Sequence, residues 1–160
     1  MQCEHVYKTF ENMEVQLYTG IDCVRVCVLY RPSSTSKSKF LNEFSEYIDE
    51  RATMSGKLLV LGDFNIHVDD SSARSAQGLK DLVYCFSLMQ HVHEPTHNKS
   101  HTLDLVISRA DENLVSNLSV TPNGYSNHYV IKFTMPGKGR NHIQKTIKAR
   151  NLREIDITKL

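Results

Sequence analysis

The sequence has no run of eighteen or more apolar residues, and its first residues lack the basic patch and apolar stretch of a signal peptide. These absences predict that no helix spans a membrane, and we expect an intracellular protein of the nucleus or cytoplasm. Hydrophobic residues still make up 40% of the 160 residues, which is enough for a packed core and excludes global disorder. The length suits one domain.

Cysteine is scarce as well, with four residues at Cys3, Cys23, Cys27 and Cys85. No two of them form a CxxC pair, and Cys23 and Cys27 fall within a predicted strand. This spacing argues against a disulfide framework and against a structural zinc site. We therefore expect buried, reduced thiols.

Neither sign of charge dominates the chain, whose formal net charge is +1, but the two signs are unevenly distributed. Residues 138–160 hold seven basic and two acidic side chains, a net charge of +5, whereas the other 137 residues hold 12 basic and 16 acidic ones, a net charge of −4. We interpret residues 1–136 as a compact domain and residues 137–160 as a basic tail. The tail is either a solvated linker or an electrostatic contact with nucleic acid or an acidic surface.

Apolar periodicity predicts a mixed α/β domain in which helices cover a sheet. Strands are expected at Met13–Tyr18, Val24–Tyr30, Leu58–Leu61, Thr102–Ser108, Leu118–Thr121 and Tyr129–Met135, and helices at Ser38–Ala52 and Ala73–Phe86. The strand Val24–Tyr30 carries apolar residues on both sides, as an inner strand does. Gly62 is expected to begin a turn directly after Leu61.

Polar residues follow the most apolar of these strands, where Asp63 and Asn65 lie two positions apart. In extended geometry such residues share one face of the chain. Asp63 could then hold or activate a water molecule, and Asn65 could donate to a phosphate oxygen. The alternative is that both residues are simple turn formers, because Asp and Asn are common in turns.

Asp104 lies in the middle of the apolar stretch from Thr102 to Ile107. A carboxylate in such surroundings is costly to bury without a partner, and His128 at the start of the last strand is the natural candidate. A carboxylate that orients a histidine fixes the tautomer of the ring and raises its basicity. The alternative is a strand residue that faces outward.

Four more histidines, His91, His93, His97 and His101, occur within eleven residues. His91 and His93 would project from the same side of a strand. No carboxylate or cysteine set at zinc spacing accompanies them, so polar loop histidines are a better interpretation than a metal site.

Five short motifs occur in one order along the chain: Tyr30-Arg31-Pro32, Gly62-Asp63-Phe64-Asn65, Pro95-Thr96-His97, Thr102-Leu103-Asp104-Leu105-Val106 and Ser126-Asn127-His128. Together they resemble the endonuclease domain of LINE-type (non-LTR) retrotransposons. That domain belongs to the endonuclease/exonuclease/phosphatase superfamily, as do the apurinic/apyrimidinic DNA-repair endonucleases. The resemblance covers roughly Phe10 to Met135, and the tail after Lys148 is similar to the connector toward reverse transcriptase in such elements.

The resemblance implies a partial two-layer β sandwich flanked by helices, with Mg²⁺-assisted hydrolysis of a DNA phosphodiester at one edge. Asp63 matches the residue that positions or deprotonates the attacking water. Asn65 and Tyr30 match groups that contact the scissile phosphate. Asp104 matches the carboxylate that orients the catalytic histidine, and His128 matches that histidine.

Thr96 matches a hydroxyl near the phosphate, and Asn127 stands where the family has a metal-binding aspartate. An amide is neutral and binds a hard cation less strongly than a carboxylate does. The family's opening strands, which bring an asparagine and the principal metal-binding glutamate, are expected to be missing. We assign that role to none of Glu4, Glu11 and Glu14.

A sandwich without those strands would expose an edge and apolar surface, and we expect Val24–Tyr30 to be a strand free to pair with a partner. The favoured interpretation is a retrotransposon-derived domain that is inactive by itself or has become a DNA-binding or interaction module. An active nuclease completed by a partner, and a relative that acts on a phospholipid or inositol phosphate, are the alternatives. The oligomeric state stays open.

Overall fold

The computed structural model describes residues 6–19 and 22–137, so the predicted basic tail lies outside the described residues apart from Gly137. In chain order the elements are β1 (Glu11–Thr19), β2 (Asp22–Tyr30), α1 (Lys37–Ala52), β3 (Lys57–Asp63), α2 (Arg74–Cys85), β4 (Leu88–Gln90), β5 (Asp104–Arg109), β6 (Ser116–Thr121) and β7 (Val130–Thr134). The predicted mixed α/β class is confirmed. The strand that periodicity missed, β4, is three residues long and too short to show a period.

Five strands form one sheet in the order β1-β2-β3-β5-β4, and β6 and β7 form a separate antiparallel pair. β2 runs parallel to β3, whereas β1 with β2, β3 with β5, and β4 with β5 are antiparallel. β2 is therefore an inner strand, as its apolar sides predicted. The expectation that it would offer a free edge was wrong, because β1 and β3 pair with it on both sides.

Both helices cover the same face of the large sheet. Ser36 caps α1, since its hydroxyl accepts from the backbone N–H of Lys39. The buried residues of α1 are Phe40, Phe44, Tyr47 and Ile48, and those of α2 are Ala76, Leu79 and Val83. They pack against the side of the sheet that carries Cys27 and Leu29. Cys27 is buried as expected, but Cys85 is exposed.

The two-stranded sheet lies against the other face of the large sheet. There the buried residues Val24, Val26, Leu59 and Val106 contact Leu118, Val120, Ile131 and Phe133 of β6 and β7. The cover is partial, because Met13, Val15, Leu17 and Val28 on the same face remain exposed. The architecture is thus a two-layer sandwich with helices outside.

No helix among the described residues is long and apolar enough to cross a membrane.

A polar contact anchors α1 on the edge of the large sheet. The Glu14 carboxylate of β1 accepts from the Tyr47 hydroxyl at 3.0 Å, from Arg51 Nε at 2.7 Å and from Arg25 Nη1 at 3.4 Å. Burial by itself would raise the pKa of Glu14, but the hydrogen bonds and charges of these partners outweigh it, so the pKa lies below its ordinary value. The folded state therefore favours the ionised carboxylate.

Replacing Glu14 by Gln should lower the free energy of unfolding at pH 7 by about 1.5–3 kcal/mol, the range for hydrogen bonds to charged groups. Because the pKa is depressed in the folded state, this contribution is complete above the unfolded-state pKa and disappears as pH falls through the folded-state pKa. Urea unfolding at pH 7 and pH 3 should show a wild-type advantage that shrinks at the lower pH. The exposed Asp49→Asn on α1 is the control, and an unchanged advantage at pH 3 would contradict the linkage.

Candidate active site

The register of the large sheet places four polar side chains in one row at one end of the sheet. Glu11 pairs with Tyr30, Tyr30 with Asp63, and Asp63 with Asp104. Residues paired across a ladder project from the same face, and here that face is the one that β6 and β7 partly cover. The structure thus brings the predicted residues Tyr30, Asp63 and Asp104 together at the margin between the two sheets.

Glu11 is the member of this row to which sequence reasoning assigned no role. Its position depends on the register of β1 with β2, and no short motif near Glu11 predicts that register. A separation of about 4.8 Å between neighbouring strands puts its Cα roughly 10 Å from that of Asp63. Glu11 therefore lies at the outer end of the row rather than in the cluster described below.

Asp63 is presented by a glycine that no other residue can replace without strain. Gly62 has φ +146°, and a Cβ atom at this position would lie 1.8 Å from the carbonyl oxygen of Leu29 on β2. The close approach lets β3 continue through Gly62 to Asp63. The expectation of a turn at Gly62 was therefore wrong, and Asp63 is the last residue of the strand.

Asn65 holds both oxygens of the Asp63 carboxylate. Its backbone N–H donates to Oδ1 at 2.9 Å, and its side-chain Nδ2 donates to Oδ2 at 3.0 Å and to the carbonyl oxygen of Arg31 at 2.8 Å. Asn65 adopts φ +47°, a left-handed conformation that asparagine tolerates better than most residues. Both side-chain N–H groups of Asn65 thus donate within the protein, one to Asp63 and one to the carbonyl oxygen of Arg31.

Asp104 and His128 form the pair that the sequence suggested. Asp104 Oδ2 lies 2.9 Å from His128 Nδ1, and His128 Nε2 lies 4.0 Å from Asp63 Oδ2. The backbone N–H of His128 donates to the Ser126 hydroxyl, and the ring meets His97 edge-on at a centroid distance of 5.0 Å. With Nδ1 directed to Asp104, Nε2 is the nitrogen that faces Asp63.

Burial and charge act together on Asp63. Burial raises the pKa of its carboxyl group, and the neighbouring Asp104 carboxylate raises it further, while the Asn65 N–H, His128 and Arg31 oppose the rise. Asp63, Asp104 and His128 each offer one atom that can bind a metal ion, and the three atoms lie within 4.8 Å of one another. Two carboxylates at this spacing suit a hard divalent cation.

Thr96 lies beneath the site rather than on its surface. The side chain is 0% exposed, and its hydroxyl accepts from the backbone N–H groups of Leu103 at 2.9 Å and Asp104 at 3.0 Å. Its carbonyl oxygen accepts from the N–H of Tyr129. Thr96 thus joins β5 to the His128 segment, and its contact with a phosphate stays a prediction.

Asn127 is exposed, and its side-chain oxygen accepts from Nδ2 of Asn98 at 2.7 Å. Its carbonyl oxygen also accepts from the N–H of Asn98. The side-chain amide of Asn127 is therefore engaged with the neighbouring loop.

His91, His93, His97 and His101 lie outside the named strands and helices, as the sequence favoured, and do not gather at one point. β4 ends at Gln90, so His91 and His93 lie beyond the strand. His91 Nε2 lies 2.8 Å from the Ser108 hydroxyl, whereas His101 contacts Asp69. Within residues 6–19 and 22–137, the group able to hold a metal is the Asp63, Asp104 and His128 cluster.

Replacing Thr96 by Val should lower the free energy of unfolding by about 1–3 kcal/mol, because two buried backbone N–H groups lose their acceptor. Thr96→Ser keeps the hydroxyl and is the matched control, with a smaller loss expected. Urea unfolding of both variants measures the difference. A loss for Val no larger than that for Ser would contradict the expectation that the hydroxyl contributes more than the methyl group.

The fold identifies the broad superfamily of the protein, and the sequence match then identifies the family. A sandwich of two sheets flanked by helices is the fold of the endonuclease/exonuclease/phosphatase superfamily. The sequence matches the family described as "Endonuclease-reverse transcriptase" over residues 24–132, and the chain belongs to that family. No curated protein matches the sequence.

Solved structures support the same fold. The endonuclease domain of TRAS1, a telomere-specific non-LTR retrotransposon, superposes with a TM-score of 0.65 at 16% identity, over 80% of this chain and 63% of that domain. The 3′ phosphatase NExo from Neisseria, bound to a product DNA hairpin, gives 0.58 at 14% identity over 80% of each chain. Beta toxin from Staphylococcus aureus gives 0.53 at 13% identity, over 78% of this chain and 57% of that one. This chain thus spans under two thirds of the TRAS1 domain.

Proposed function

We propose that this chain carries the water-activating and charge-stabilising groups of a Mg²⁺-dependent DNA phosphodiesterase, and that by itself it cleaves DNA only weakly. The observation that carries the proposal is the cluster of Asp63, Asp104 and His128, whose potential metal-ligand atoms lie within 4.8 Å of one another. Asn65 holds the Asp63 carboxylate from one side. These are the groups that an in-line attack on a phosphodiester needs to orient water and neutralise charge.

Each residue has a role that its contacts support. Asp63 orients the attacking water and accepts its proton, a task favoured by the burial that raises the pKa of the carboxyl group. Asp104 fixes the orientation of His128, whose Nε2 donates to a phosphate oxygen as negative charge develops there. Tyr30, 48% exposed and in the same row, offers its hydroxyl to the phosphate.

The donor set fits a weakly held magnesium ion. Asp63 and Asp104 would hold the ion, with water in the remaining positions, because Mg²⁺ favours oxygen ligands. When bound, such an ion supplies positive charge to a phosphate oxygen and favours the ionised form of a coordinated water. The neutral amide of Asn127, engaged by Asn98, adds no charge to the set. Two carboxylates hold a divalent cation less firmly than three, which is the reason we expect weak cleavage.

DNA is the proposed substrate because of what the comparable proteins do. The matched TRAS1 structure is the endonuclease domain of a non-LTR retrotransposon, and NExo is a 3′ phosphatase whose structure contains a product DNA hairpin. The family match to endonuclease-reverse transcriptases points in the same direction. A phospholipid or inositol phosphate substrate has no comparable support from the described residues.

Nicking of supercoiled plasmid with Mg²⁺ or Mn²⁺ tests the activity. The folded wild-type chain should nick slowly, and His128→Ala and Asp63→Asn should each abolish what nicking there is, because they remove the charge-stabilising and water-activating groups. The exposed loop residue His93 provides the matched control, His93→Ala, which should nick like the wild type. Rapid nicking that His128→Ala abolishes would contradict the weak-cleavage part of the proposal. Nicking that survives His128→Ala would remove the proposed role of the histidine.

DNA binding should depend strongly on salt. Each phosphate contact that releases a counterion contributes about −0.9 to the slope of log K against log salt concentration. Fluorescence anisotropy with a labelled duplex should show affinity falling steeply between low and moderate salt. The slope should become shallower when four basic residues of the tail are changed to Gln: Lys145, Lys148, Arg150 and Arg153.

The control for this measurement changes four basic residues of the body to Gln instead: Lys8, Lys39, Arg74 and Lys80. Affinity that ignores salt would contradict binding through phosphates. An equal change of slope in both variants would remove the tail from the proposed contact.

A further inference from the structure

Arg31 is a charged side chain in the interior of the protein. Its exposed fraction is 1%, and it is the largest of the fully buried side chains. Among the described residues no carboxylate lies within ion-pair distance of its guanidinium, although the charge of Asp63 acts on it from farther away. Burying a guanidinium is costly unless its N–H groups find acceptors.

All three nitrogens of Arg31 donate to the protein. Nε donates to the carbonyl oxygen of Phe64 at 2.6 Å, and Nη2 donates to that of Asn65 at 2.7 Å. Nη1 donates to the carbonyl oxygens of Pro32 at 3.2 Å and Thr35 at 2.8 Å, and to the Thr35 hydroxyl at 3.1 Å. The acceptors belong to two segments, the loop after β2 and the turn after β3.

The turn after β3 is the segment that presents the site. Phe64 and Asn65 directly follow Asp63, and Asn65 is the residue whose backbone and side-chain N–H groups hold the Asp63 carboxylate. The contact is reciprocal, because Nδ2 of Asn65 donates to the carbonyl oxygen of Arg31. The chain of contacts therefore runs from the guanidinium to Asn65 and from Asn65 to Asp63.

We propose that Arg31 is the positioning residue of this site: its guanidinium joins the loop after β2 to the turn after β3 and so holds Asn65 against the Asp63 carboxylate. The proposal rests on the proposed function for its consequence in catalysis, but the positioning itself is a property of the fold. Arg31 touches no substrate and acts through Asn65.

The geometry of the guanidinium, and not its charge alone, does this. Arginine presents five N–H donors in a planar fork and can reach several carbonyl oxygens at once, whereas lysine donates from a single nitrogen. Carbonyl oxygens on two segments require donors in two directions. A lysine at position 31 keeps the charge, but its one nitrogen cannot replace Nε and both Nη atoms together.

NMR spectra of the full chain decide the question without any cleavage. The reporter is the side-chain amide of Asn65, which donates to Asp63 and to the Arg31 carbonyl oxygen. The internal reference is the side-chain amide of Asn123, which donates to the carbonyl oxygen of His128 on the other side of the site. Arg31→Lys and Arg31→Met should both shift the Asn65 amide signals and speed their exchange with water, and should leave the Asn123 signals in place.

Loss of stability alone must be separated from loss of positioning. Leu79→Ala serves as the matched control, because it removes buried volume from α2, which carries no residue of the site. Thermal unfolding establishes that the compared variants are folded under the conditions of measurement. If Arg31→Met fails to fold, the Asn65 amide signals are measured in Arg31→Lys alone. This variant keeps the charge and most of the aliphatic stem.

The expected catalytic effect is a 10- to 100-fold lower single-turnover nicking rate for Arg31→Lys, with the half-saturating DNA concentration changed less than about 3-fold, since a small misplacement affects rate more than binding. Absence of nicking by the wild type would count against the proposed function alone, because the amide signals test the positioning separately. Unchanged Asn65 signals in folded Arg31 variants would overturn the proposal. So would an equal disturbance in Leu79→Ala, or wild-type signals in Arg31→Lys.

Discussion

The pairing of β3 with its two neighbours determines where the candidate site residues point. Asp63 faces the same side as Tyr30 and Asp104 because β3 is in register with both β2 and β5. Side chains alternate along a strand, so a shift of one residue would direct Asp63 into the helix-covered core and expose an apolar residue instead. Gly62 permits this register, since a Cβ atom there would collide with the backbone of Leu29. The site thus depends on a backbone contact as much as on its own side chains.

The two faces of the large sheet differ in where their polar side chains lie. The face under the helices is mainly apolar, with the Glu14 contact at its β1 edge. On this side Phe40 and Phe44 of α1 pack ring against ring with each other and with Phe64. The opposite face is apolar under β6 and β7 but ends in a polar row. Asp63 and Asp104 therefore lie half-buried, with apolar neighbours on one side and an open margin on the other. Such a margin lets a carboxylate be desolvated enough to change its pKa and still be reached by a ligand.

Much of this arrangement could be predicted from the sequence, and the reasons are local. Phe40, Phe44 and Tyr47 recur at helical spacing, so α1 was predictable within about a residue at its start. The pairing of Asp104 with His128 followed from the cost of a carboxylate among apolar strand residues. Those inferences need only nearest neighbours in the chain and the chemistry of one side chain.

The parts that could not be predicted depend on contacts between distant segments. Glu11 joins the polar row only through the register of β1, and Thr96 is buried only because β5 and the His128 segment close over it. Arg31 was visible as part of a motif, but its donors reach Phe64 and Asn65, more than thirty residues away. Periodicity and motif spacing carry no information on which carbonyl oxygens a side chain will meet.

The negative charges of Asp63 and Asp104 are not fully compensated by the neighbouring side chains of the site. Asp63 is partly desolvated and faces a second carboxylate, Asp104, and both effects disfavour its ionised form. Asn65 supplies only dipoles, and Arg31 lies behind the turn with its donors engaged by carbonyl oxygens. A cation between the two carboxylates would relieve this repulsion from the open side. A phosphate brought to this margin meets the same positive charge. Under the proposed function, the repulsion between Asp63 and Asp104 would therefore couple the binding of a cation to the approach of an anionic substrate at a single point of the fold.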